Sequence, residues 1–245
     1  MPGWLAGRGR SVIQCDLVPI RQLLIGDLQP FGPHGEPSGI DKQPVSGALT
    51  AGPTGLAGDR QADLRHHGGP DKAIHHYPAE HYLAWQATGL PLDPARLQPG
   101  GFGENISTTG LTEQTVCIGD VFRAGSIVLQ VAQARQPCWK LGIRFGWPEL
   151  PLQVQASGRT GWYYRVLEAG TLAAGDSLQL LQRPHPDWPL VRLLHVLYDD
   201  VLNQAALAQM ADLAVLAESW RVIARRRLET GQGEEWERRL RPPAG

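Results

Sequence analysis

The stretch Arg183-Pro184-His185-Pro186-Asp187-Trp188-Pro189 divides this chain into two unlike patterns and constrains its fold more than any other feature. Each proline lacks a backbone donor, so the stretch extends neither a helix nor an inner strand and reads as a boundary. Before it, glycine and proline recur every few residues from Gln29 to Gly58, which predicts short strands joined by tight turns. Ser11–Ile20 reads as an extended segment that Pro19 confines to an edge. Val116 to Phe122, Ile127 to Ala132, Tyr163 to Leu167 and Ser177 to Gln182 read as further strands, with turns at Gly125, Gly170 and Gly175-Asp176. One helix starts at Tyr77-Pro78-Ala79-Glu80 and closes at Gly89 and Pro91. Its Ala79, Tyr82, Leu83 and Trp85 are expected to pack on the sheet. Beyond the boundary the pattern turns helical at Val191–Tyr198, Gln204–Leu213 and Glu218–Glu229. The arginines of the last helix read as a solvated face. The expected fold is mainly β (α+β), a closed or sandwiched β-domain followed by three short helices.

Composition removes several function classes. Hydrophobic residues make up 42% of the 245, enough for a sizeable core, and the net charge of −1 supplies no basic field for duplex nucleic acid. Apolar runs fall well short of the roughly 20 residues of a membrane helix, and Met1–Gly9 lacks a signal-peptide core. Cys15, Cys117 and Cys138 lie far apart without a C-x-x-C pair, the cysteine usage of a cytoplasmic protein. Only Lys42, Lys72 and Lys140 are lysine in an arginine-rich chain.

Three segments carry chemistry. Cys138 lies in Arg135-Gln136-Pro137-Cys138-Trp139-Lys140, where proline ends a strand and two cations can stabilise a thiolate, a nucleophile or soft metal ligand. Cys15 and Cys117 read as small buried hydrophobes. The second segment runs from His66 to Tyr77. Its Gly68-Gly69 turn and Lys72 suit an anion, or the segment is a plain hairpin with hydrogen-bonded histidines. His75 and His76 are adjacent and must point to opposite faces of a strand. Zinc is disfavoured, because no H-E-x-x-H or finger spacing occurs. In the third segment, Gly101-Phe102-Gly103-Glu104-Asn105, the carboxylate and amide offer donors and acceptors to a heterocycle edge.

The order His67-Gly68-Gly69-Pro70-Asp71-Lys72-Ala73, Gly103-Glu104-Asn105-Ile106-Ser107, Gln136-Pro137-Cys138-Trp139-Lys140, then Gly161-Trp162-Tyr163-Tyr164-Arg165-Val166, resembles the MOSC family in its YiiM-like form. The likeness extends over roughly residues 24–240 and into the helical tail. It implies a MOSC-type β-barrel over 24–184, an N-terminal extension over 1–23 and a small three-helix domain over 185–245. It implies the molybdenum cofactor, a molybdenum held by a pterin dithiolene, with Cys138 as metal ligand and catalytic residue. The implied activity is reduction of N-hydroxylated compounds such as hydroxylaminopurines and amidoximes to amines, as in the related mitochondrial amidoxime-reducing component. Electrons would come from a separate flavin reductase, since three scattered cysteines cannot supply an iron–sulfur cluster's usual four thiolates. Some relatives carry a fused ferredoxin-like domain where this chain has helices. Within that frame Lys72, Arg135, Lys140 and the Gly68-Gly69 turn are candidates for the cofactor phosphate. His67 or His76 would orient the pterin or relay protons, and Glu104 and Asn105 would hold its polar edges. The same thiol also fits a cofactor or sulfur carrier with a Cys138 persulfide, and the arginine-rich last helix fits a scaffold that docks a partner.

Overall fold

The computed structural model describes residues 17–32, 35–62 and 68–241. The sequence readings at Cys15, His66, His67 and most of Ser11–Ile20 fall outside them. The glycine- and proline-punctuated first quarter forms β1 (Val18–Pro19), β2 (Gln22–Ile25), β3 (Gln29–Phe31), β4 (Glu36–Ser38), β5 (Gln43–Pro44), β6 (Leu49–Gly52) and β7 (Gly55–Leu56). A tight turn at Pro70–Lys72 leads into β8 (Ile74–Pro78), α1 (Glu80–Ala87), β9 (Ile106–Thr108), β10 (Val121–Ala124) and β11 (Ile127–Ala134). Then come α2 (Lys140–Arg144), α3 (Leu150–Ser157), β12 (Trp162–Glu168), β13 (Gly170–Leu172) and β14 (Ser177–Gln182). The tail carries α4 (Leu190–Tyr198), α5 (Gln204–Asp212), α6 (Glu218–Thr230) and α7 (Glu237–Leu240).

The main sheet runs β1-β14-β10-β11-β12-β8-β9-β2-β5. Its pairs are antiparallel except β8–β9, which is parallel. One extended stretch, β1 and β2, serves both sides of this ladder. Val18–Pro19 pairs with β14, Ile20 exchanges backbone bonds with Gly175 and Asp176, and two residues later Gln22–Leu23 pairs with β9. The segment lies on β14 at one end and between β9 and β5 at the other, so the ladder curls back towards its own start in the manner of a barrel. The fold is thus strand-rich α+β with the expected helices behind it. The expected extension over residues 1–23 does not stop short of the sheet, since β1 and the start of β2 fall within it.

Strand alternation separates two cores. Ile74, Phe122, Leu129, Val131 and Trp162 point to one face, and the C-terminal helices add Leu190, Leu193, Leu197, Leu207 and Trp220 to the same cluster. On the other face Tyr77, Tyr82, Trp85, Phe102, Leu141 and Phe145 form a second cluster beneath α1, α2 and α3. Leu83 departs from expectation, since it is 69% exposed while Tyr82 and Trp85 are buried. Arg227 departs in the other direction. It is 1% exposed, paired with Glu234 at 2.7 Å, and donates to the carbonyls of Val196 and Leu197. A buried guanidinium persists only when its donors are satisfied, and here those carbonyls and Glu234 do so.

Candidate functional site: a cationic cleft around Cys138

Strand β11 ends because Pro137 has no N–H to give to the ladder. Arg135 makes the last bond, its N–H to the Gly161 carbonyl at 3.0 Å. The chain then turns through Cys138, whose carbonyl accepts from the Leu141 N–H at 3.1 Å as α2 begins. Cys138 is 7% exposed and lines a cleft. Its described walls hold five cations, Lys42, Arg60, Lys72, Arg135 and Lys140, and no carboxylate. All three lysines of the chain are among them.

The cleft floor is polar and partly unsatisfied. His75 and Tyr163 sit opposite in the β8–β12 register with ring centroids 4.9 Å apart. Among the described residues His75 Nε2 and Arg135 Nη1 are buried without a hydrogen-bond partner. Such atoms cost stability unless something meets them. Burial first, and then the charge of Arg135, push the His75 pKa well below its ordinary value, so the ring is neutral. Burial raises the Tyr163 pKa, with Arg135 opposing it. Behind them Lys42 Nζ reaches both Asp59 oxygens, Oδ1 at 2.6 Å. Asp59 also accepts from the Gly26 N–H, Gln61 Nε2 and Asn105 Nδ2 at 2.8, 2.9 and 2.9 Å. Burial lowers the Lys42 pKa while Asp59 holds it up.

The structure brings together Cys138, Arg135, Lys140, Lys72 and Asn105 of the sequence candidates. Asn105 spends its amide on the fold, with Oδ1 taking the His75 N–H and Nδ2 donating to the Leu24 carbonyl and Asp59. Gly68 and Gly69 do not line the cleft, although Lys72 beside them does. Two candidates lie elsewhere. His76 points into the first core, bonded to Tyr164 Oη at 3.0 Å and Thr108 Oγ1 at 2.9 Å, and burial lowers its pKa to about 3. Its neighbour His75 takes the cleft position, since adjacent strand residues face opposite ways. Glu104 is buried away from the cleft, accepting from Tyr82 Oη at 2.5 Å and the Gly100 N–H at 2.8 Å, and burial raises its pKa. His67 lies outside the described residues. Sequence reasoning missed Lys42, Asp59, His75 and Tyr163. The rarity of lysine could have found Lys42.

A strand-rich α+β domain with a lone thiol in a cationic cleft, backed by three helices, matches known proteins along its length. Residues 63–179 match the MOSC domain and residues 188–231 the YiiM-like 3-alpha helix domain. The chain belongs to the MOSC family, in its YiiM-like form. It is similar to protein YiiM of Escherichia coli (strain K12), 38% identical over 216 residues, 88% of this chain and 95% of that protein. The crystal structure of YiiM from Escherichia coli superposes with a TM-score of 0.79 at 31% identity, covering 93% of this chain and 100% of that one. YflK of Bacillus subtilis (strain 168) is 45% identical over 185 residues, 75% of this chain and 81% of that protein. A Gibberella moniliformis (strain M3125 / FGSC 7600) protein named "Reductase" is 36% identical over 194 residues, 79% of this chain and 34% of that longer protein.

Proposed function

We propose that this protein is a molybdenum-cofactor-dependent reductase of N-hydroxylated compounds, with Cys138 as the protein thiolate on the metal. The observation that carries the reading is the cleft itself, one thiol among five cations with no carboxylate in its described walls. A dithiolene pterin with a phosphate tail is anionic and soft at its metal end, which is the chemistry this donor set fits. Arg135 Nη1 and His75 Nε2, without a partner among the described residues, are two further donor or acceptor sites that such a guest would satisfy. When bound, the cofactor supplies the two-electron chemistry that the side chains themselves lack.

The chain's own residues bind, orient and exclude water. Arg135, Lys72 and Lys140 would hold the anionic tail, Arg135 with a planar fork and the lysines as point charges. Neutral His75 would orient a heterocycle edge at Nε2 without adding a charge. Lys42 is anchored at the cleft floor by Asp59, which opposes the lowering of its pKa by burial. Reducing an N–OH group to an amine takes two electrons and two protons and releases water. The electrons would come from a separate flavin reductase, in keeping with the cytoplasmic setting expected from the cysteines.

The test is molybdenum by elemental analysis and released pterin by fluorescence, on wild type and Cys138→Ala from a cofactor-producing host. Near-stoichiometric metal in wild type that falls in the variant is expected, followed by turnover of an amidoxime or hydroxylaminopurine with a flavin reductase. Equal metal in both proteins removes Cys138 from the ligand role. No metal or pterin in either, with sulfane sulfur appearing on Cys138 after a desulfurase and cysteine, makes the protein a sulfur carrier.

A further inference from the structure

The geometry points to Arg239 as the residue that positions the Cys138 thiol. Pro137 has no N–H, so the thiol loop cannot hold itself in the sheet and needs partners from elsewhere. Both peptide groups that flank Cys138 find them in the same residue. Arg239 Nη1 donates to the Pro137 carbonyl, and the Trp139 N–H donates to the Arg239 carbonyl at 2.8 Å. Arg239 is itself seated, with Nη2 on Gln155 Oε1 at 2.7 Å and its guanidinium 4.9 Å from the Trp236 ring. Upstream the same tail is stapled where Glu234 accepts from buried Arg227 at 2.9 and 2.7 Å. The chain beyond α6 is therefore a strap, fixed at Glu234, packed at Trp236 edge-on against Tyr198, and tied through Arg239 to the backbone around the thiol. This strap lies past residues 188–231, the part that matches the three-helix domain.

The grip matters for catalysis only if the thiol is the metal ligand proposed above, but it is tested without any cofactor, so the two can fail separately. The full-length cofactor-free protein is alkylated with iodoacetamide, and labelling is timed at Cys138 and Cys117 by peptide mass spectrometry. Cys138 is almost fully buried, so it reacts through local opening of its loop. Losing a charged hydrogen bond raises the population of that opening by roughly tenfold or more. Arg239→Gln is expected to speed labelling at Cys138 by about that factor and leave Cys117 unchanged. Arg238→Gln, at an exposed neighbour, leaves both rates alone. Equal acceleration at both cysteines, or none at Cys138, overturns the assignment. Should Arg239→Gln fail to fold, hydrogen exchange on wild type decides. The Trp139 amide is expected to be protected to the same degree as the amides of Leu240 and Arg241, since opening of the strap frees all three. A Trp139 amide that exchanges as an unprotected loop amide overturns the grip.

Discussion

Asp59 shows what a single carboxylate can organise. It accepts from Lys42, Gln61, Asn105 and the Gly26 backbone, joining the cleft floor to three segments of the chain. Asp59→Asn leaves the Lys42 cation buried without its counter-charge, and the expected cost is about 3–5 kcal/mol in urea unfolding. Adding Lys42→Met should recover part of that loss, because the cost is the unpaired charge rather than the missing pair. His75 and His76 supply a pH dependence whose sign follows from burial. Both are held neutral in the fold, with pKa values below 6.5, so the unfolded chain binds more protons as acid is added. Their stabilising contribution is complete above about pH 6.5 and is lost as the pH falls towards about 3, the value for His76. Melting temperature should drop between pH 6.5 and pH 4, within the window given by about 6.5 and about 3, and less steeply in His76→Gln. At this scale the thiol was legible in the sequence, because its proline and flanking cations are local. The choice between His75 and His76 was not, since alternation says that they diverge but not which face carries the cleft. Asp59 was silent, because its partners at Gly26, Lys42 and Asn105 come together only in the fold.

Elements are legible in proportion to how local their causes are. The three main C-terminal helices emerge close to their expected limits because their causes act within a few residues: apolar spacing in each, Pro189 before α4 and the Asn203 cap before α5. α2 was not foreseen, having five residues with Gly142 among them. α3 could have been, since proline stands in its first turn and Gly158 closes it at φ 68°. The joint between β8 and β12 depends on one glycine. Gly161 has φ 70°, and a Cβ there would meet the His76 carbonyl at 2.3 Å and His75 Nε2 at 3.0 Å. Gly161→Ala is therefore expected to destabilise by more than about 1 kcal/mol, measurable as a lower melting temperature, and to disturb the His75 side of the cleft.

The C-terminal helices and the sheet unfold together if they share a core. Leu190, Leu193, Leu197 and Trp220 belong to the same cluster as Phe122 and Val131, and the Ala217 N–H donates to the Ala132 carbonyl in β11. The helices are thus less a satellite than a wall of the sheet domain. A single calorimetric transition is expected for the full chain. Deleting residues 190–245 should give a chain that fails to fold, which size-exclusion chromatography and circular dichroism would report. A folded, monomeric product would instead show a sheet domain that stands alone. The segment Val18–Ile25, which passes from β14 to β9, has a consequence in time. Its register sets Val18 against Leu178, so the pairing that brings the sheet back on itself joins residues far apart in the chain. Loop-closure entropy makes such a contact late and slow to form. The stretch synthesised early must wait unpaired for a partner made much later, so a nascent chain is exposed to strand exchange with its neighbours until this seam is sewn.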